Sequence, residues 1–223
     1  MILTRHEIKV LIKEGLLVFE PTLDTFQDQP HAVDLRLGII FYIPKIWEMT
    51  NAGREVLTVD ATQNVGDNFE KIEMHPGQFF ELAPGESVIA STMEKISLHA
   101  SDIMGLLFPR SSVNRRGLSV DLTGIVDVHY SGHLMIPIHN KTISQVIRIY
   151  PGERICQIVF QKLSQELSEE EGLKHGAMVA QYTGAGAKNL LSGNQNGAMK
   201  KDAQTEMDMI RKGEFGKLKK FQY

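Results

Sequence analysis

Apolar and polar positions change their rhythm along this chain. Near the N-terminus, Ile8, Leu11 and Ile12 recur at helical spacing. Thr4 and Glu7 ahead of them form a capping-box pair, and Gly15 is a C-cap candidate. The spacing predicts a short helix near 5–14. Beyond it, helix signals are scarce until the end. The middle consists of short apolar runs cut by turn residues: DLRLGIIFYIP, QFFELAPGESVIAST, IMGLLFPRSS, LSVDLTGIVDV, HLMIPIHN and VIRIYPGERICQIVFQKL. Runs of that length and spacing predict an all-β barrel or sandwich.

Two turns are spelled out. Pro84-Gly85-Glu86 and Pro151-Gly152-Glu153 each precede a buried-looking strand. Proline followed by glycine supplies the central pair of a type II turn, so both should be tight turns. After Leu163 the composition shifts. SQELSEEEG is acidic, and QYTGAGAKNLLSGNQNGA is rich in Gly, Asn and Ser with few core formers. DAQTEMDMIRKGEFGKLKKFQY reads as a helix followed by a basic tail, a solvated appendage or a contact to another subunit or a ligand. The division is a β domain over residues 1–163 and a C-terminal extension over 164–223.

Composition narrows the function classes. The chain has 223 residues, 42% hydrophobic and 23% charged, and a net charge of −3. These values fit one globular domain with appendages. A negative balance argues against a nucleic-acid grip driven by bulk charge. No apolar run is long enough to predict a membrane span, and MILTRHEIKV lacks a signal-peptide pattern. The single cysteine, Cys156, sits in the apolar run ICQIVF and is expected to be a buried core thiol. A reducing, cytoplasmic setting is the expectation.

The densest chemistry lies in PRSSVNRRGL, residues 109–118. Arg110, Ser111, Ser112 and Arg115 bring guanidinium forks and short hydroxyls into one turn, a donor set suited to phosphate oxygens. An Arg/Ser-rich surface loop is the plainer alternative. Downstream, Asp127 follows Ile125 and Val126 and precedes Tyr130. A carboxylate so close to an anion-binding loop suits orienting or deprotonating a water. A turn-capping aspartate is the alternative. Tyr130 could stack on a base or sugar, or simply be a core aromatic.

Taken together and in order, these segments resemble the dCTP deaminase/dUTPase superfamily over about residues 1–163. MILTRHEIKVLIKEGLLVFEP resembles the opening of the deaminases, and HAVDLRLGIIF their first motif. PRSSVNRRGL is similar to the second motif, TGIVDVHYSGHLMIPIHN to the third and YPGERICQIVFQKL to the fourth. The resemblance implies a distorted, jelly-roll-like β barrel with a short N-terminal helix and a C-terminal extension. It also implies a homotrimer with sites at subunit interfaces.

It implies site roles too. Arg110, Ser111, Ser112, Arg115, Gln157 and Lys188 would hold a triphosphate. The main chain of Thr123, Gly124, Ile125 and Val126 would read the pyrimidine, and Tyr130 would pack on the deoxyribose. Asp127 would activate the attacking water. Mg²⁺ would ride on the phosphates, with Asp34 either holding its water shell or pairing with Arg110 or Arg36. Tyr182, Gly184 and Gly186 would belong to a lid.

The two branches of the superfamily differ ten residues beyond that aspartate. The resemblance places the deaminases' proton-shuttling glutamate there, and this chain has Pro137. His133 and His139 share its strand face by alternation. With VDVHYSG reading dUTPase-like, the expected activity is dUTP diphosphatase, releasing dUMP and pyrophosphate from dUTP. The alternatives are a dCTP deaminase, bifunctional or not, and an inactive nucleotide-binding relative.

Overall fold

A computed structural model describes residues 1–58, 68–75, 77–121, 124–168 and 212. The N-terminal helix α1 spans Arg5–Lys13. The Thr4 side chain accepts from the Glu7 main-chain N–H, and the Glu7 carboxylate accepts from the Thr4 main-chain N–H at 2.7 Å. That reciprocal pair satisfies two donors the helix would otherwise leave open. Of the expected apolar face, Ile8 is buried and Leu11 packs against the core, whereas Ile12 stays largely exposed.

Thirteen strands follow: β1 (Leu17–Glu20), β2 (Val33–Pro44), β3 (Trp47–Thr50), β4 (Gly53–Val56), β5 (Phe69–Glu73), β6 (Phe80–Leu82) and β7 (Ser87–Leu98). β8 (Ile103–Pro109) leads into a single helical turn, α2 (Ser111–Asn114). Then come β9 (Leu118–Val120), β10 (Ile125–Val126), β11 (Ser131–Asn140), β12 (Ile147–Ile149) and β13 (Arg154–Lys162). Nine strands make one curled antiparallel sheet along β10-β8-β13-β2-β7-β11-β9, with β1 added on β7 and β5 on β2. The expected mainly β, barrel-like fold with a short N-terminal helix is the fold observed.

Alternation makes the core. Along β11, Leu134, Ile136, Ile138 and Asn140 are buried while His133, Met135, Pro137 and His139 face outward. β2 contributes Val33, Leu35, Leu37 and Phe41 to the same core, and Phe41 stacks on Phe80 at 4.9 Å. Each such side chain taken from water contributes roughly 1.5–3 kcal/mol. Cys156 is buried among them, and desolvation pushes its thiol up, away from ionisation. Both expected turns form. Glu86 N–H donates to Ala83 O and Glu153 N–H to Tyr150 O, each at 3.0 Å, with Gly85 and Gly152 at φ 78° and 91°. Only glycine takes that conformation at little steric cost.

Candidate active site

The phosphate-loop candidate is anchored at one residue. Pro109 ends β8, the chain turns through α2, and buried Val113 pins the turn to the core. Ser111 and Ser112 are left exposed, and Arg115 Nη2 donates to Ser111 Oγ at 3.0 Å. Two hydroxyls and a guanidinium thus present themselves to solvent from one turn.

Arg110 points the other way, into a buried ion network. Its Nε lies 3.3 Å from Asp34 Oδ2, and its Nη1 donates to Arg154 O at 3.1 Å. Arg154 Nη1 reaches the same Asp34 oxygen at 3.1 Å, and Gln29 Nε2 donates to it at 3.2 Å. The Asp34 side chain is only 2% exposed. Burial raises its pKa above the ordinary aspartate value, and Arg110 and Arg154 pull it back. Of the two roles open for Asp34, the structure supports the pairing with Arg110. Its carboxylate is enclosed by guanidinia and does not suit a metal's water shell. Arg36 is engaged elsewhere, with Nε 2.6 Å from fully buried Glu94 and Nη1 3.3 Å from Asp24. Gln27 ties the floor together, its Nε2 donating at 2.9 Å to both Glu94 Oε1 and Asp34 O.

Gln157 lies directly across the ladder from Asp34 on one side and from Phe108 on the other. Arg110, Gln157 and the serine turn therefore form one neighbourhood. Arg154 belongs to it as well and was not singled out from the sequence.

The hairpin carrying Asp127 is attached elsewhere. β10 pairs with β8 through Ile125↔Leu106 and Val126↔Gly105, and Gly124 O accepts from Leu107 N–H at 3.1 Å. Val126 is buried in the core, whereas Ile125 is 61% exposed. Half-exposed Asp127 opens the next turn, its O accepting from Tyr130 N–H at 3.2 Å. The Tyr130 hydroxyl donates to His133 O at 3.0 Å, and burial pushes its pKa up to about 12. Tyr130 is therefore a fixed, neutral donor.

By this register Asp127 stands beside the start of β8, while Arg110 follows its end. Six residues of strand separate those positions by about 20 Å along β8. Within one chain, the predicted base and the predicted phosphate cluster are not brought together. Thr123, Lys188, Tyr182, Gly184 and Gly186 lie outside the described residues.

Pro137 stands exposed on the outer face of β11. Two imidazoles flank it. His133 Nδ1 lies 3.0 Å from Thr92 O and donates to it. His139 Nδ1 lies 2.7 Å from Ser87 Oγ. Among the described residues, no group of three or more His, Cys, Asp or Glu is arranged to hold a metal. No helix among them is long and apolar enough to cross a membrane.

The chain has counterparts among known proteins. The chain belongs to the dCTP deaminase-like family, whose pattern matches residues 2–163. A "dCTP deaminase, dUMP-forming" of Dictyoglomus thermophilum is 37% identical over 194 residues, 85% of this chain and 95% of that protein. A protein with the same description from Methanopyrus kandleri is 32% identical over 183 residues, 78% and 91% of the respective chains. Among solved structures, the 2′-deoxycytidine 5′-triphosphate deaminase of Agrobacterium tumefaciens is similar over 78% of this chain, with a TM-score of 0.56 and 25% identity. This chain spans about half, 52%, of that one.

These relatives overturn the expectation of a plain dUTP diphosphatase. That expectation rested on Pro137 and on the wording of one hairpin. The proteins that share nearly their full length with this chain are described as deaminases that form dUMP.

Proposed function

We propose that this protein is a dCTP deaminase of the dUMP-forming kind, with residues 1–163 as its catalytic domain. The carrying observation is 37% identity to such an enzyme over 95% of that enzyme's length. The overall reaction takes dCTP and two waters to dUMP, ammonia and pyrophosphate. One water oxygen bonds to C4 of the base while the C4–N4 bond breaks and ammonia leaves. The other attacks the α-phosphorus while the α–β bridging bond breaks and pyrophosphate leaves.

The residues divide between these steps. Arg110, Ser111, Ser112, Arg115 and Gln157 hold the triphosphate through charge-assisted bonds that strengthen as charge shifts in the transition state. Mg²⁺ would be carried by the triphosphate and would supply charge neutralisation there, with no described side chain assigned to hold it. Asp127 orients the water aimed at phosphorus. Tyr130 packs on the sugar. With proline at position 137, the proton carrier for deamination falls to the flanking imidazoles, His133 or His139.

Assembly as a homotrimer fits the separation of the two halves. One copy's arginine cluster can meet another copy's hairpin across an interface, as isolated chains cannot arrange. Ile125 on the hairpin is 61% exposed and Phe108 near the arginine end of β8 is 44% exposed, apolar surface that an interface would cover. The free, buried Cys156 fits a reducing, cytoplasmic setting.

The test supplies dCTP with Mg²⁺ and follows products by chromatography and phosphorus NMR. Ammonia, dUMP and pyrophosphate in equal amounts are expected. Recovery of unchanged dCTP, with or without turnover of dUTP, overturns the reading.

A further inference from the structure

β13 contains an irregularity that sequence spacing hides. Arg154 is opposite Arg36 on β2, yet Cys156 is opposite Leu35, so Ile155 is left without a ladder partner. That is a bulge, and bulges re-aim side chains. Arg154 and Gln157 are three residues apart and would face opposite sides of a regular strand. The extra residue turns both toward Asp34.

The consequence is that two guanidinia converge on one carboxylate. Asp34 Oδ2 is approached by Arg154 Nη1 at 3.1 Å and by Arg110 Nε at 3.3 Å. Arg154 Nη1 also donates to Phe26 O at 2.5 Å, and Arg110 Nη1 to Arg154 O, which fixes both forks. The side chains remain 33% and 25% exposed, so both guanidinia keep access to solvent. Two pre-positioned, partly exposed planar forks suit an oxyanion chain.

We propose that Arg154 is a second triphosphate-binding guanidinium, held beside Arg110 by the Asp34 carboxylate they share. This rests on the functional reading above for the identity of the nucleotide. The anion site itself stands on the cluster's own geometry.

The experiment measures binding by calorimetry for dCTP, dCMP and inorganic tripolyphosphate. It compares the full-length protein with its Arg154→Gln and Arg154→Lys variants. Arg154→Gln retains an N–H donor for Asp34 and should fold with a melting temperature close to that of the parent. It is expected to weaken dCTP and tripolyphosphate about tenfold or more while dCMP changes less than twofold. Arg154→Lys keeps the charge without the fork and should fall between. Unchanged tripolyphosphate and dCTP binding in Arg154→Gln overturns the proposal. So does an equal loss for dCMP and dCTP, which would mean that Arg154 only supports the fold. If tripolyphosphate binding depends on Arg154 but the parent protein leaves dCTP unconverted, the inference stands and the functional reading falls.

Discussion

The arginine cluster and the Asp127 hairpin occupy opposite ends of β8 and are built differently. The cluster is closed on itself. Asp34, Arg110, Arg154, Gln29 and Gln27 satisfy one another over a floor containing fully buried Glu94. Its orientation depends on nothing outside the chain. The hairpin is anchored by a two-residue ladder to β8 and by the Tyr130–His133 bond, and it leaves Ile125 outside. The arginine cluster thus lies about 20 Å along β8 from half-exposed Asp127. On the proposed reading, binding and chemistry sit at separate places on one chain and are joined by assembly.

Breaking the hairpin's chemistry should have the largest effect. Asp127→Asn should lower pyrophosphate release about a thousandfold, within the range of general-base contributions. Tripolyphosphate affinity should stay unchanged, because the cluster is intact. Steady-state kinetics with dUTP and with dCTP check this, and near-normal pyrophosphate release would contradict it.

Removing the cluster's central fork should do the opposite. Arg110→Ala should raise KM for dCTP about 10–100-fold. It should also lower the melting temperature, since buried Asp34 loses one of its two partners. Loss of turnover without a KM change would mean that Arg110 acts in the chemical step.

The imidazoles of β11 sharpen the comparison from the deamination side. His133→Asn and His139→Asn should divide, with one of them losing at least tenfold in ammonia release from dCTP while pyrophosphate release from dUTP persists. Pro137→Glu should raise ammonia release. If neither histidine variant changes ammonia release, the proton carrier lies elsewhere.

Much of the cluster's outline is legible in the sequence, and its core is not. PRSSVNRRGL announces Arg110 and the serines by donor chemistry alone, and the two Pro-Gly-Glu turns form as their residue types require. Arg154 stays hidden because a bulge overturns the two-residue period by which a strand is read. The Asp34 pairing is ambiguous beforehand because Arg36, two residues away, is an equally plausible partner. Only packing shows that Glu94 claims it. The error about activity came from weighting one position. A proline excludes a base at that position, but Pro137 has imidazoles on its own strand face. The lid and the distal tail fall outside the described residues.

Acid should act on the cluster with a defined sign. The Asp34 pKa is raised in the fold, so its protonation favours folding. That contribution is fully present below the ordinary aspartate value and is lost as pH rises through the raised folded value. Lowering pH through this window therefore costs no stability at Asp34 but unlocks Arg110 and Arg154. Triphosphate affinity should fall on acidification before the melting temperature does. Calorimetry and thermal melts on the same buffers check it, and a parallel decline of both would contradict it.

The smallest expected effect lies outside both regions. Thr4→Ala removes the capping-box acceptor of α1 and should cost about 1 kcal/mol. Melting should drop by about 2–4 °C with kinetics unchanged, and a change in KM would tie α1 to the site.

The most direct measurement combines the two impaired variants, assayed at a dCTP concentration well below the raised KM of Arg110→Ala. Arg110→Ala and Asp127→Asn proteins are unfolded, mixed in equal amounts and refolded together, with mixed oligomers verified by native mass spectrometry. If each site takes its arginine cluster from one copy and its Asp127 from another, random assembly restores about a quarter of the parent's sites. Conversion of dCTP to dUMP should reappear to that extent. Mixed oligomers with no more activity than either variant alone would place both halves of the site on one chain and contradict the account.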